Sequence, residues 1–351
     1  MTFNQPAGYS YLAERFPALT RHLPRLPLGD YPTPLQRLGD RRRALWVKRD
    51  DRTHPVYGGN KIRKLEYLLG DARQRGSTDV VTFGGVGSNH VLATAIHGGS
   101  VGVRTTGMML PQRMTDYVRG TLERHQQIDS RLLRSPAARR ARVDLMRQLR
   151  DGAEAGLTVV PLGGTSPRGS VGYVNAALEL ATQWKRPQPP ERIYVAAGTM
   201  GTAAGLAVGL ALLDWPTQVH AVRVTAPSQV HAIGMKKLTT KLAHLLQRHD
   251  PRVGALETPW QRVTIREDYL GEDYADVTPA SQRAVDESMR RWGLPLETTY
   301  TGKAMACLLD DLAEHPSHGD WLFWHTYNGR AAPGSAGGLD SGYADFLSLC
   351  R

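Results

Sequence analysis

Short apolar runs that end in glycine and lead into helical spacing constrain the fold of this chain more than any other feature. Three such runs are present, at 79–83, 157–162 and 193–197. Stretches with helical spacing follow them, at 89–97, 169–183 and 202–213. Strand, glycine turn and helix in repeated succession predict parallel α/β sheets that bind ligands at the carboxyl ends of their strands.

The length of 351 residues suits two domains of ordinary size, and 41% hydrophobic with 22% charged residues is typical of a globular protein. Further strands are predicted at 42–48 and 219–225, and a further helix at 279–292. The N-terminus lacks the apolar stretch of a signal peptide. The most apolar segment, 195–213, carries repeated glycines that fit a tight turn and a closely packed helix better than a membrane span. We therefore expect a cytoplasmic protein.

Two cysteines, Cys307 and Cys350, are too few and too far apart for a zinc site or a disulfide framework, so we expect no metal. The formal net charge is +11, and seven arginines fall between residues 131 and 150. Their spacing predicts a helix with a solvated basic face. No aromatic residue interleaves with these arginines, so we expect no nucleic-acid partner.

The densest motif is Gly58-Gly59-Asn60-Lys61, which continues through Arg63-Lys64-Leu65-Glu66. The glycines permit a tight turn, and Lys61 stands where a helix would begin. An ammonium group is unfavourable there because a helix N-terminus attracts negative charge. A lysine bound as a Schiff base to a phosphorylated aldehyde would remove this conflict. The alternative is a solvated surface lysine beside Lys64.

The second motif spans 82–90 and fails as a dinucleotide fingerprint, because His90 stands where the third glycine should be. As a loop at a strand end it places Ser88, Asn89 and His90 at a helix N-terminus, facing an anion such as a substrate carboxylate. The alternative is an ordinary serine cap followed by a surface histidine.

The third motif, 197–205, consists of small residues with two hydroxyls, Thr199 and Thr202. Successive backbone N–H groups and these hydroxyls predict a phosphate cradle, and a mere tight turn is the alternative. The fourth motif, 300–304, could by itself begin any helix.

These four motifs, in this order, resemble the family of 1-aminocyclopropane-1-carboxylate (ACC) deaminase and D-cysteine desulfhydrase, which uses pyridoxal 5′-phosphate (PLP). The resemblance includes 32–35, 48–51, 163–165 and 325–326, and therefore covers most of the chain. It implies two open, twisted, mostly parallel α/β domains with PLP in the cleft between them. We place the smaller domain at 65–172 and the larger at 1–64 plus 173–351. Homodimers are usual among such relatives.

The resemblance also implies which residues hold the cofactor. Lys61 matches the lysine that binds PLP and moves the α-proton, and Lys64 matches a residue near the phosphate. Asn89 would bond the phenolic oxygen, and Thr301 would face the pyridine nitrogen. The phosphate cradle would consist of Gly198, Thr199, Gly201 and Thr202.

Substrate contacts follow from the same resemblance. Ser88, Asn89 and His90 would lie against the carboxylate of a small amino acid, with Ser88 also relaying protons. Tyr274 and Tyr300 match two active-site tyrosines. One departure is present: a glycine pair usual after His-Thr is replaced here by Tyr327-Asn328, which would narrow or re-polarise the pocket.

The expected reaction is β-elimination that releases a keto acid and ammonia. ACC deaminase has glutamate where this chain has Thr301. A threonine hydroxyl shares only a neutral hydrogen bond, so the ring nitrogen should stay largely unprotonated, which favours early loss of a good leaving group over ACC deamination. A β-replacement synthase, an ACC deaminase and a catalytically idle binding relative remain open as alternatives.

Overall fold

The computed structural model describes residues 9–39, 45–153, 156–314, 319–328 and 338–350. The strands in these ranges are β1 (Leu35–Leu38), β2 (Leu45–Arg49), β3 (Asp79–Gly85), β4 (Arg104–Leu110), β5 (Arg131–Arg134), β6 (Leu157–Val159), β7 (Arg192–Ala197), β8 (Gln218–Arg223), β9 (Val263–Arg266) and β10 (Trp321–His325).

The α-helices in the same ranges are α1 (Tyr11–Arg15), α2 (Lys61–Gln74), α3 (Asn89–Ser100), α4 (Asp116–Gln127), α5 (Arg139–Asp151), α6 (Pro167–Gln183), α7 (Gly201–Leu212), α8 (Ala232–His249), α9 (Pro279–Trp292), α10 (Thr301–Glu314) and α11 (Ser341–Ala344). Short 3₁₀ turns lie at Pro17–Arg21, Asp50–Arg52, Leu162–Gly164, Pro251–Val253, Pro259–Arg262 and Asp345–Leu349.

The larger sheet has six strands in the order β1-β2-β10-β7-β8-β9. Strand β1 pairs with β2 antiparallel, and the other neighbours pair parallel. Along β7, Ile193 and Val195 pack in one core cluster with α6 and α7, whereas Tyr194 and Ala196 pack in another with α9 and α10. Burial on both faces explains why this strand is a continuous apolar run.

The smaller sheet has four parallel strands in the order β5-β4-β3-β6. Val80 of β3 shares a core cluster with Leu69 of α2 and Leu92 of α3. Met109 of β4 lies in a second cluster with Val118 of α4. The two sheets confirm the predicted α/β fold class, and their strands coincide with the apolar runs found at 79–83 and 193–197.

Two sequence expectations need qualification. The predicted strand at 42–48 is observed from Leu45 onward as β2, and residues 42–44 lie outside the described ranges. The single helix predicted across the arginine-rich stretch 131–150 is wrong at its start. Residues Arg131–Arg134 form β5, because their backbone pairs with β4 and Leu132 packs against the apolar cluster at that edge. Helix α5 begins only at Arg139.

The glycine-rich segment 195–213 consists of the end of β7, a turn and helix α7. A Cβ on Gly205 would lie 2.4 Å from the carbonyl oxygen of Ser170, and one on Gly209 would lie 2.5 Å from the Cβ of Ala177. Helix α7 therefore packs directly on α6, which is the closely packed arrangement that the glycines predicted. Among the described residues, no helix is both long and apolar enough to span a membrane.

The strands of the smaller sheet all fall within 65–172, and those of the larger sheet fall on either side of it. The division at these boundaries stays a prediction. Residues 338–350, which this division assigns to the larger domain, pack against α4. Phe346 is buried beside Val118, and Leu349 accepts a hydrogen bond from the backbone N–H of Gln112 (3.3 Å). The apolar residues near the C-terminus cover a face of α4 that would otherwise be exposed.

Candidate active site

The loop before α2 needs both of its glycines. Gly59 has φ +97°, and a Cβ there would lie 2.9 Å from the carbonyl oxygen of Thr326. A Cβ on Gly58 would lie 2.4 Å from the carbonyl oxygen of Asp51. The next residue, Asn60, donates its backbone N–H to Thr326 (3.1 Å). The loop is thereby held against the end of β10, and α2 starts immediately afterwards at Lys61.

A group of buried ion pairs lies next to this loop and the first turn of α2. Arg63 on α2 bonds Asp50 (2.7 Å) and Glu179 (2.9 Å), and Lys48 on β2 also pairs with Glu179. Burial alone would raise the pKa of Glu179, but the charges of Arg63 and Lys48 outweigh it and hold that pKa at about 2. Tyr173 adds a hydrogen bond to Asp50 (2.8 Å). These contacts connect β2, α2 and α6 below the start of α2.

Lys61 lies where two cavities meet. The first cavity is bordered by Lys61, Asn89, Thr199, Glu297 and Tyr327, among others. Burial lowers the pKa of Lys61 to about 8. A larger fraction of Lys61 is therefore the neutral, nucleophilic amine than of a solvated lysine at the same pH. A partly buried amine of lowered pKa suits a site that binds a carbonyl group better than a fully solvated lysine would.

The second cavity has a volume of about 280 Å³. It is lined by Lys61, Gly85, Ser88, Gln229 and Tyr274, among others. Ser88 caps α3, since its Oγ accepts the N–H of Val91 (3.4 Å). The N-terminus of a twelve-residue helix therefore opens into the same cavity as the amine of Lys61. That arrangement suits a ligand that carries both a carboxylate and a carbonyl or amino group.

A cradle of small and hydroxylated residues closes one end of the first cavity at the start of α7. No side chain caps this helix, so its first N–H groups are left for another acceptor. Thr199 accepts a hydrogen bond from Thr165 (2.7 Å), and Thr202 accepts one from Asn60 (3.2 Å). A Cβ on Gly201 would lie 2.9 Å from the Nζ of Lys64. The helix end, two hydroxyls and a lysine form a complete donor set for one phosphate group.

Lys64 lies beside this cradle, in surroundings that favour its neutral amine. Its Nζ donates to the carbonyl oxygen of Gly163 (3.1 Å), in a turn where Gly163 and Gly164 have φ +61° and +65°. Burial, and to a smaller extent the charge of Lys61, lowers the pKa of Lys64 well below its usual range. A phosphate dianion in the cradle would favour the charged form of Lys64.

The predicted histidine is deeply buried. His90 is 3% exposed, and its Nε2 shares a hydrogen bond with Thr82 (2.9 Å). Burial and the nearby Lys61 and Lys64 lower its pKa well below the usual histidine value. A neutral ring can give a carboxylate at most one hydrogen bond and no charge, so the predicted role of His90 depends on its Nδ1 alone.

Two tyrosines form a proton-sharing pair in the second cavity. The hydroxyls of Tyr274 and Tyr300 are 2.5 Å apart. Burial raises the pKa of Tyr274 to about 12 and that of Tyr300 well above its usual value. Both hydroxyls are therefore protonated near neutral pH and can donate.

The described residues include no group of three His, Cys, Asp or Glu side chains that could hold a metal ion.

Comparison with known proteins identifies the chemistry that this site serves. Residues 26–326 match the family of pyridoxal-phosphate-dependent enzymes. The chain belongs to this family. It is 36% identical to nocardicin C-9′ epimerase of Nocardia uniformis over 319 residues, which cover 88% of this chain and 94% of the relative. It is 32% identical to D-cysteine desulfhydrase of Yersinia enterocolitica over 329 residues, covering 86% and 93%.

A solved structure of an ACC deaminase homologue is similar over 95% of this chain and 98% of its own, with a TM-score of 0.78 and 29% identity. These similarities confirm the suspected relationship with ACC deaminase and D-cysteine desulfhydrase, and PLP as the family's cofactor. The residues present fit that cofactor. Lys61 supplies the amine, and the uncapped start of α7 with Thr199 and Thr202 supplies donors for the phosphate.

Sequence reasoning missed Glu297. Its carboxylate lines the first cavity and accepts hydrogen bonds from the N–H groups of Thr299 (2.8 Å) and Thr301 (2.7 Å). The hydroxyl of Thr301 also donates to Glu297 (2.9 Å), and Thr301 itself does not border the first cavity. Thr301 was expected to face the ring nitrogen directly, but its hydroxyl proton is engaged by a carboxylate. The sequence signal for this contact was an acidic residue four positions before Thr301. It stands just ahead of helix α10, where negative charge is favourable.

The departure at residues 327 and 328 has a structural role. Asn328 accepts the backbone N–H of Gly58 through its Oδ1 (2.8 Å) and so supports the glycine loop. Tyr327 lies beside Tyr117, with ring centroids 6.4 Å apart, and both Tyr327 and Asn328 line the first cavity. The side chains of Tyr327 and Asn328 therefore form part of the wall of the first cavity, and whether they narrow or re-polarise it stays a prediction.

Proposed function

We propose that this enzyme is a lyase that removes the α-proton of a small amino acid and expels its β-substituent, as a D-cysteine desulfhydrase would. The observation that carries the proposal is the position of Lys61, a partly buried amine of lowered pKa that borders both cavities. From there it can hold the cofactor's aldehyde carbon in the first cavity and reach a substrate in the second. When bound, PLP supplies an electron-withdrawing ring that makes the α-proton acidic.

The start of α3, Lys61 and the tyrosine pair each have a task in the second cavity. The start of α3, with Ser88 and Asn89, binds the substrate carboxylate, which is attracted to a helix N-terminus. The Nζ of Lys61 accepts the α-proton while the bond from Cβ to the leaving group breaks. Tyr300, paired with Tyr274, donates its hydroxyl proton to the departing thiolate. Hydrolysis of the remaining three-carbon unit yields a keto acid and ammonia.

Glu297 changes the expectation that Thr301 leaves the ring nitrogen unprotonated and so disfavours ACC deamination. An unprotonated ring nitrogen beside Thr301 requires that no carboxylate is close to it. Glu297, however, borders the first cavity and accepts the hydroxyl proton of Thr301 in a hydrogen bond. A nearby anion favours a protonated ring nitrogen, which stabilises negative charge at the α-carbon. Elimination remains the proposed reaction because a D-cysteine desulfhydrase is among the relatives. Measuring product from ACC tests this choice against ACC deamination.

Epimerisation at the α-carbon is a second candidate function. An epimerase needs one group to remove the α-proton and another to return a proton. Lys61 and the Tyr274–Tyr300 pair both border the second cavity and could serve as these two groups. A relative that is 36% identical is named as an epimerase.

One experiment separates these functions. The purified enzyme with PLP is incubated in D₂O with D- and L-cysteine, β-chloroalanine and ACC, and keto acid, ammonia and deuterium at the α-carbon are measured. We expect keto acid and ammonia from the cysteine-like substrates and none from Lys61→Ala. Inversion and deuterium uptake without keto acid would favour the epimerase. Conversion of ACC to 2-oxobutanoate would favour the deaminase, and product only with an added nucleophile would favour the synthase.

PLP binding without turnover of any substrate would support the idle relative and contradict the lyase. The homodimer and the cytoplasmic location also stay predictions, and sedimentation and cell fractionation test them.

A further inference from the structure

Asn89, the first residue of α3, is held by two tyrosines from different parts of the chain. The hydroxyl of Tyr57, in the loop before α2, donates to the Oδ1 of Asn89 (2.6 Å). The hydroxyl of Tyr117, on α4, donates to the same oxygen. A carboxamide oxygen has two lone pairs, so these two bonds satisfy it completely. Neither tyrosine was singled out by the sequence motifs.

Tyr57 is held in place by its surroundings. Tyr57 is 3% exposed, and the guanidinium of Arg124 lies 5.3 Å from the centre of its ring. The backbone carbonyl of Tyr57 shares a hydrogen bond with His97 on α3 (3.0 Å). Burial raises the pKa values of Tyr57 and Tyr117, so that both keep their protons and act as donors. In the structure both hydroxyls donate to Oδ1, and two converging O–H donors favour an acceptor at this position.

This selection determines which end of the carboxamide faces the cavities. With Oδ1 turned to the tyrosines, the Nδ2 group of Asn89 is the end left for a ligand, and Asn89 borders both cavities. If the carboxamide were reversed, the two hydroxyl protons would lose the acceptor that they share. An oxygen atom would then face any oxygen of a bound ligand, which would repel it.

We propose that Tyr57 and Tyr117 are positioning residues that lock the Asn89 side chain with its N–H groups toward the cofactor's phenolic oxygen. The inference rests on the proposed function only in taking Asn89 as the residue that bonds this oxygen. It assigns to two side chains outside the recognised motifs the task of fixing a donor that would otherwise rotate freely. Phenylalanine at either position keeps the ring and its packing but removes the hydroxyl, which provides the test.

The main comparison uses the holoenzyme of five proteins: the parent, Asn89→Ala, the pair Tyr57→Phe with Tyr117→Phe, all three changes together, and Tyr194→Phe. Tyr194 is the matched control, because its buried hydroxyl also donates to a side-chain oxygen, that of Asp311 (2.7 Å), away from both cavities. The readouts are the pH midpoint of the visible absorption change of bound PLP and the affinity for PLP. Each single phenylalanine variant is measured as well.

We expect Asn89→Ala and the phenylalanine pair to move the midpoint in the same direction. The size should be about one pH unit, as when one hydrogen bond to a charged oxygen is weakened. Each single variant should move it less, the triple variant should add little to Asn89→Ala, and Tyr194→Phe should leave it unchanged. Such non-additivity would show that the hydroxyls act through Asn89.

Three results would overturn the proposal. A phenylalanine pair with the parent's midpoint, beside a shifted Asn89→Ala, would show that Asn89 needs no clamp. A triple variant whose shift equals the sum of its parts would show that the tyrosines act independently of Asn89. An unshifted Asn89→Ala would remove the contact on which the clamp acts, while keto-acid release would still test the lyase separately.

Discussion

Replacing Thr199 and Thr202 by valine should weaken PLP binding by two to four orders of magnitude. Each hydroxyl already accepts a hydrogen bond, Thr199 from Thr165 and Thr202 from Asn60. The proton of each hydroxyl can therefore be donated to a phosphate bound in the cradle. A hydrogen bond to a charged group contributes about 1.5–3 kcal/mol, so two of them amount to about 3–6 kcal/mol.

The assay is a titration of the apoenzyme with PLP, followed by absorbance, with a thermal melt of each apoenzyme to establish folding. Valine has nearly the shape of threonine, and the neighbours lose only weak polar contacts, so the apoenzyme should melt close to the parent. Thr239→Val is the matched control. Thr239 is fully buried on α8, and its hydroxyl bonds only backbone carbonyls of its own helix.

The reasoning is refuted if the folded double variant binds PLP within about threefold of the parent, since the phosphate would then lie elsewhere. Equal weakening in Thr239→Val would also refute it, because the loss would follow from any buried threonine.

Three further outcomes are expected. Borohydride reduction of the holoenzyme and peptide mapping should place the cofactor on Lys61, whereas label on Lys64 or Lys303 would contradict the site. Glu179→Gln should lower the free energy of unfolding by about 3 kcal/mol near neutral pH, measured by urea denaturation. Because the pKa of Glu179 is depressed to about 2, its contribution is complete above the ordinary carboxyl pKa and fades as pH falls toward 2, so an unchanged difference at low pH would contradict this. Phe346→Ala should cost about 3 kcal/mol, because this 7%-exposed ring packs on the smaller unit, and urea denaturation within error of the parent would exclude that docking.

The sequence alone carried much of the fold, because its signals are local. Glycine after an apolar run and helical spacing behind it predicted β3 and β7 and the helices that follow them. The edge strand β5 was not predicted. Its four residues are rich in arginine, and what makes them a strand is the neighbouring backbone of β4. Pairing partners distant in sequence leave no mark on local composition.

The same division holds for the candidate site. The sequence by itself determined that Lys61 begins a helix after a glycine turn and that small residues open α7, since these are requirements of the backbone at one place. Only the tertiary structure decided that Glu297 borders the same cavity as Lys61 and Asn89. Only it decided that Tyr57 and Tyr117, 60 positions apart in sequence, share one oxygen of Asn89. Such contacts depend on the packing of elements far apart in the chain, because burial and hydrogen-bond partners are properties of the assembled core.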